Sequence, residues 1–174
     1  NLKIHDSRFR GQGSVGAFAG FALSSLFENL EVRSSSILAH QGVYYGGIVG
    51  DFFSGVIKQA YVEDLTISPG DDSTASYAGG IAGRAKDVEV KDAESNPIIT
   101  GMLHRLGGIA GQMTLNSTIE KTKSSPTIEI SNLRNAIHVG GFVGESNDKL
   151  YIKNSMSTGT ITSFKNSGFT GRFE

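Results

Sequence analysis

The chain of 174 residues contains no cysteine, only 3 prolines and no long apolar run. The lack of cysteine excludes disulfides and cysteine-based zinc sites. No apolar stretch approaches the ~20 residues that a membrane-spanning helix needs, so we expect no membrane insertion. Neither charge dominates, with 16 Lys and Arg residues against 17 Asp and Glu residues. A dedicated nucleic-acid binder needs a clear basic excess, so nucleic acid is not an expected partner.

Glycine, in contrast, is abundant, and the 23 glycines follow a pattern. Patterned glycine indicates structural repeats, whereas unpatterned glycine is typical of disorder. A short motif, in which an apolar pair lies between glycines as in Gly47-Ile48-Val49-Gly50, occurs six times. We call the last glycine of each copy the closing glycine, and successive closing glycines are 30, 33, 28, 33 and 27 residues apart. The glycines that we predict to be structural are Gly20, Gly47, Gly50, Gly80, Gly83, Gly108, Gly111, Gly141, Gly144 and Gly171.

Two further apolar positions recur with the same period. The first is an apolar residue followed by Glu or Lys, and the second is a β-branched residue nine or ten positions later. Each unit therefore contains three short apolar segments separated by polar, turn-rich stretches. The first set comprises Phe27, Ile57, Val88, Ile119 and Ile152, and the second comprises Ile37, Ile67, Ile98, Ile128 and Ile161.

These segments predict strands, because they are short, rich in β-branched and aromatic residues, and partly alternate apolar with polar positions. A helical repeat is the less favoured alternative, since each glycine inside a helix costs ~1 kcal/mol relative to alanine. We therefore predict an all-β fold, a right-handed parallel β-helix-like solenoid of about six repeats of ~30 residues. Residues 1–174 form one domain in this prediction, and both ends fall within the repeat array, as expected for a fragment of a larger protein.

The recurrence of glycine has two candidate explanations. A turn between faces of a stacked coil requires positive φ, or two backbones approach too closely for a side chain. In either case the apolar pair between the glycines, such as Ile48 and Val49, places at least one side chain inward.

The motif resembles the GLUG repeat, a short Gly-[Leu/Ile]-[Val/Ala]-Gly element of bacterial secreted and surface proteins. The pattern is also similar to the non-catalytic N-terminal repeat region of immunoglobulin-A-cleaving zinc metallopeptidases, and large adhesins carry similar arrays. The first and last copies depart from the pattern, at Ala17 and Thr170. The resemblance implies a β-solenoid scaffold outside the cell. It rests on residues 46–50 with 55–59, 139–144 with 151–155, and 15–20 with 26–30.

Catalytic motifs are not evident in the sequence. A zinc peptidase requires His-Glu-x-x-His, and none of the four histidines is followed by Glu or lies four residues from another. Paired acids could serve glycoside hydrolysis on a β-helix, and the candidates are Asp51, Asp71 and Asp72. The last two lie in a Pro-Gly turn, where solvated acids are ordinary. We expect no catalytic residue, metal or cofactor in this segment.

One aromatic cluster is the remaining functional signal. Tyr44, Tyr45, Phe52 and Phe53 flank one copy of the motif. Alternation along a strand places Tyr44 and Tyr45 on opposite faces. Exposed aromatics would form a patch for a partner protein or glycan, and Tyr44, Phe52 and Phe53 are the candidate binding residues. Alternatively, these rings fill a locally wider core.

Together these features predict a non-catalytic repeat scaffold or interaction module of a large secreted or cell-surface bacterial protein. Its parent would be an immunoglobulin-A-cleaving metallopeptidase or an adhesin whose array binds host protein or glycan. Other domains of the same chain are further expected partners. A β-helical carbohydrate-active enzyme is the alternative from a different functional class.

Overall fold

The computed structural model describes residues 1–69, 77–101, 104–130, 138–163 and 172–173. Throughout these residues the chain consists of β-strands and turns, without a helix. The strands are β1 (Leu2–His5), β2 (Arg8–Gly16), β3 (Ala19–Arg33), β4 (Ser36–Gly46), β5 (Val49–Pro69), β6 (Tyr77–Gly79), β7 (Ala82–Lys91), β8 (Glu94–Thr100), β9 (Arg105–Gly107), β10 (Ala110–Thr114), β11 (Ser117–Glu120), β12 (Lys123–Ser124), β13 (Thr127–Ile130), β14 (His138–Gly140), β15 (Val143–Ser146), β16 (Leu150–Lys153), β17 (Met156–Ser157), β18 (Thr160–Ser163) and β19 (Arg172–Phe173).

Successive turns of the chain stack by parallel strand pairing. For example, β3 pairs in parallel with β5, and β5 pairs in parallel with β7 and β8. Equivalent residues of neighbouring turns therefore lie in columns with the ~4.8 Å spacing of paired strands. The result is a β-solenoid of about 5 turns, which confirms the all-β, parallel fold predicted from the repeats. The sixth predicted copy of the motif, at residues 168–171, lies outside the described residues.

Single residues with a left-handed backbone bend the chain at the corners of the solenoid. One corner column has φ values between 48° and 55°. This conformation is unfavourable for most residues with a Cβ and least unfavourable for Asn and Asp. The residue types at this corner differ from turn to turn, so the sequence gives only a weak sign of it. The column consists of Asn29, Gln59, Asp92, Lys121 and Asn154.

The apolar core consists of columns of aliphatic side chains, and it corrects two predicted positions. Val90, not Val88, stacks on Ile57. Ile99, not Ile98, stacks on Ile67 and is fully buried, whereas Ile98 is 38% exposed. Ile98 and Ile99 are neighbours on a strand and face opposite sides, so a shift of one residue exchanges a buried and an exposed position. Val88 and Val90 are two residues apart, and both are buried. The apolar pattern alone offered both choices in each case.

The repeat glycines are required for close backbone approach and not for positive φ. Among the described glycines, positive φ occurs at Gly13, Gly55 and Gly101, which lie outside the motif. A Cβ on Gly50 would lie 2.5 Å from the backbone nitrogen of Val15. A Cβ on Gly83 would lie 2.6 Å from the carbonyl oxygen of Gly50. Both separations are too short for a real side chain, so these positions accept only glycine without a backbone shift.

The other repeat glycines are similarly enclosed. Gly20, Gly111 and Gly144 also face backbone atoms, whereas Gly47, Gly80, Gly108 and Gly141 also face side chains across the core. Two of the glycines that face side chains also accept hydrogen bonds through their carbonyl oxygens. The Ser95 hydroxyl donates to Gly108 at 2.8 Å, and the Ser124 hydroxyl donates to Gly141 at 2.5 Å. The remaining predicted structural glycine, Gly171, lies outside the described residues.

Candidate interaction face

Three columns of side chains border the glycine motif on one side of the solenoid, and we call this surface the glycine-motif face. The first column lies in the strands before the glycine pair. The second consists of the residues immediately after the closing glycines Gly50, Gly83, Gly111 and Gly144, and the third lies two residues further on. The columns are Tyr44, Tyr77, Arg105 and His138; Asp51, Arg84, Gln112 and Glu145; and Phe53, Lys86 and Thr114.

The closing glycines bring the first two columns together. A Cβ on Gly83 would lie 2.7 Å from the carbonyl carbon of Tyr44, and one on Gly111 would lie 2.7 Å from the backbone nitrogen of Ala78. The strand after the motif therefore packs directly on the backbone of the strand before it in a neighbouring turn. As a consequence, side chains that are distant in sequence lie side by side on the surface.

Asp51 and Arg84 form the best-defined ion pair of the face. Arg84 donates from Nε and from a terminal nitrogen to the two carboxylate oxygens of Asp51, both at 2.8 Å. The guanidinium carbon lies 4.1 Å from the ring centroid of Tyr44 and 4.9 Å from that of Phe53. The hydrogen bonds to Asp51 raise the pKa of Arg84, although burial opposes this effect. The arginine is thus held by a carboxylate from below and by aromatic rings beside it.

Glu145 is the centre of a second polar cluster. Its Oε2 accepts a hydrogen bond from Nε of Arg105, and Nδ1 of His138 lies 2.6 Å from the same oxygen. Its Oε1 accepts hydrogen bonds from Gln112 at 3.0 Å and Asn147 at 2.8 Å. Burial alone would raise the pKa of Glu145, but the hydrogen bonds, that from Arg105 foremost, hold this pKa below its usual range. The carboxylate is therefore charged and has donors on both oxygens.

The aromatic rings link the two clusters. The centroids of Tyr44 and Tyr77 are 5.0 Å apart, and the guanidinium carbon of Arg105 lies 4.7 Å from the centroid of Tyr77. Burial raises the pKa of the Tyr44 hydroxyl, so this group stays neutral and can act as a donor. Arg84, Tyr44, Tyr77 and Arg105 thus form a continuous series of side-chain contacts across neighbouring turns.

The three predicted binding residues have different positions. Tyr44 and Phe53 are half-buried members of the glycine-motif face. Phe52 is fully buried and packs edge-on against Phe27 at 5.3 Å, so its prediction as a surface contact is wrong. Strand alternation explains the difference, because Phe52 and Phe53 are neighbours and face opposite sides. The same rule confirms the predicted split between Tyr44 and Tyr45, since Tyr45 is fully buried.

Of the three predicted acidic candidates, Asp51 is the one that lies within the described residues. Asp51 lies on the glycine-motif face and is engaged by Arg84. Asp71 and Asp72 lie outside the described residues. No group of three or more histidine or acidic side chains in the described ranges could hold a metal ion. No helix of the described chain is long and apolar enough to span a membrane.

Five charged or titratable residues of the face escaped prediction from the sequence: Arg84, Lys86, Arg105, His138 and Glu145. The first and last had a recognisable signal, because each directly follows a closing glycine, as Asp51 does. In stacked repeats equivalent positions become neighbours, so opposite charges at one repeat position indicate ion pairs between turns. Arg105 and His138 had no such signal, since the segments before the glycine pair differ between copies.

No family profile, no curated protein and no solved structure matches this chain.

Proposed function

We propose that this chain is a non-catalytic repeat scaffold and interaction module of a large secreted or cell-surface bacterial protein. The resemblance of its glycine motif to the GLUG repeat supports this placement. The same resemblance makes two parents the leading candidates, an immunoglobulin-A-cleaving metallopeptidase and an adhesin. The expected partner of the module is a host protein, a glycan or another domain of the same chain.

The main support for a non-catalytic role is that other side chains of the chain already bind the buried carboxylates. Asp51 and Glu145 are the acids of the glycine-motif face, and donors occupy both oxygens of each. A general acid or base must exchange a proton with substrate at hydrogen-bond distance. Paired acids in a glycosidase also face each other across the scissile bond. Carboxylates that fix arginine side chains in one position favour a rigid binding surface over a catalytic site.

Cross-turn bracing supports the scaffold role. Hydrogen bonds from Arg84 to Asp51 and from Gln112 to Glu145 each join one turn to the next. Elsewhere on the solenoid, Arg33 bridges in the same way to Glu63 at 3.1 Å. Such contacts oppose sliding or opening between neighbouring turns, because each repeat is stabilised mainly by its neighbours. We therefore expect a rigid particle whose lateral surfaces are available for binding.

Two measurements test the proposal. Small-angle X-ray scattering of the chain should give a single elongated particle whose dimensions do not change with ionic strength. Incubation with a broad panel of neutral and acidic polysaccharides should give no new reducing ends and no unsaturated products. Turnover of any polysaccharide that is lost in Asp51→Asn would overturn the non-catalytic role and establish the carbohydrate-active alternative. A compact or salt-dependent particle would overturn the scaffold role.

A further inference from the structure

The glycine-motif face buries its negative charges and exposes its positive ones. The side chains of Asp51 and Glu145 are 8% and 6% exposed, whereas those of Arg84 and Arg105 are 26% and 27% exposed. Each carboxylate lies beneath the arginine that it binds. A molecule approaching the face therefore meets guanidinium groups first, although the formal charges of the two pairs cancel.

Lys86 adds a positive charge that has no ion pair among the described residues. It is half-buried in the third column, next to Phe53 in the preceding turn and Thr114 in the following one. Its Nζ lies 5.6 Å from the ring centroid of Phe53. A cation beside a ring keeps its capacity to donate hydrogen bonds to a carboxylate. Lys86 thus gives the middle of the face a net positive charge.

The cationic groups are also held in place before any partner arrives. Arg84 is fixed by two hydrogen bonds and two rings, and Arg105 by Glu145 and Tyr77. Ordering long side chains on association costs roughly 0.5–1.5 kcal/mol for each of them. A surface whose arginines are already ordered avoids much of this loss. Preorganised Arg and Tyr side chains are characteristic of the residues that dominate protein–protein interfaces.

The ring geometry favours a protein partner over a sugar chain. A glycan-binding platform presents an open ring face on which a pyranose stacks. Here each ring already has an arginine of the chain near its centroid, Arg84 at 4.1 Å from that of Tyr44 and Arg105 at 4.7 Å from that of Tyr77, so contacts within the chain take up part of the ring surface. The cationic nitrogens beside the rings are the charged groups that a partner meets. These match carboxylate side chains on a folded protein surface.

We infer that the glycine-motif face docks an acidic protein surface, with Lys86, Arg84 and Arg105 as its carboxylate-binding groups. This inference rests on the proposed role as an interaction module and specifies the chemistry of the partner. Attraction between a basic face and an acidic partner acts mainly on the association rate and is weakened by salt.

The test measures binding of the chain to three immobilised probes at low and at physiological ionic strength. The probes are a peptide rich in Asp and Glu, a Gly/Ser peptide of equal length, and alginate as an acidic glycan. We expect salt-sensitive binding to the acidic peptide and none to the Gly/Ser peptide. Lys86→Glu should weaken binding by about tenfold or more, because it places a negative charge where a carboxylate docks.

Lys123→Glu is the matched control, since it makes the same charge change at an exposed lysine in another wall of the solenoid. Equal losses in Lys86→Glu and Lys123→Glu would overturn the inference, because bulk charge alone would then explain the binding. Binding to alginate but not to the acidic peptide would also overturn it, in favour of an acidic glycan. Failure to bind any probe would overturn the inference while leaving the scaffold role to the scattering and turnover measurements.

Discussion

Arg84 reaches from one turn of the solenoid to Asp51 in the preceding turn and satisfies both oxygens of that carboxylate at 2.8 Å. The pair occupies the position directly after the closing glycine, where the backbones of two turns are in contact. It therefore joins two neighbouring repeats through charged hydrogen bonds. Its removal should therefore affect the stability of the whole stack.

Asp51→Asn should lower the free energy of unfolding by about 1–3 kcal/mol, because Arg84 would lose a charged partner at a largely desolvated site. Urea denaturation followed by circular dichroism measures the change. Glu28→Gln is the control, since the pair of Glu28 with Lys58 is 2.8 Å long but more than 30% exposed on both sides. Such a pair contributes less than about 1 kcal/mol. Equal effects of the two substitutions would show that the Asp51 pair is no stronger than a surface contact.

Gly83→Ala should destabilise the protein by about 2–4 kcal/mol, or prevent folding, because its Cβ would overlap backbone atoms that cannot rotate away. The Cβ would lie 2.6 Å from the carbonyl oxygen of Gly50 and 2.7 Å from the carbonyl carbon of Tyr44. Thermal unfolding and soluble yield measure the effect.

Gly13→Ala is the matched control for this substitution. Gly13 has φ of 80°, but no atom lies within 4 Å of the position that a Cβ would take, so alanine there meets backbone strain alone. That strain costs roughly 1–2 kcal/mol. A melting temperature of Gly83→Ala equal to that of the unchanged protein would refute the close-approach explanation of the repeat.

The repeat made the fold predictable from the sequence. Which strand residues face the core, and which residues form the glycine-motif face, could be predicted only in part. Spaced glycines and β-branched residues indicate stacked strands, because every unit must bury the same positions. Adjacent apolar residues such as Ile98 and Ile99 do not say which one faces inward, and neither do Phe52 and Phe53. That choice depends on where each corner falls. The corners use left-handed residues as different as Asn29 and Lys121, so no single residue type marks them.

Lys121 provides a test of these corners, because lysine is poorly suited to its φ of 48°. Lys121→Asn should stabilise the protein by up to about 1 kcal/mol, whereas Lys121→Val should destabilise it by about 1 kcal/mol or more. Differential scanning calorimetry resolves both changes. Lys123→Val, two residues later in strand β12, should change stability by less than about 0.5 kcal/mol. An identical response to valine at the two positions would contradict the left-handed corner.

Glu145 should make the protein sensitive to acid. Its pKa is lower in the folded chain than in the unfolded one, with Arg105 and His138 as the charged or titratable groups facing it. The unfolded state therefore takes up the proton first as pH falls. The stabilisation by Glu145 is complete above its unfolded pKa of about 4.3 and disappears as pH falls through the lower folded pKa.

Glu145→Gln removes this titration while preserving the size of the side chain. The variant should be less stable at neutral pH, because Arg105 loses a charged acceptor, and its stability should depend less on pH below about pH 4.3. Urea unfolding between neutral and acidic pH measures both effects. The difference in unfolding free energy between the unchanged protein and Glu145→Gln should shrink as the solution is acidified. A constant difference over this range would mean that the carboxylate of Glu145 has the same pKa in the folded and unfolded chains.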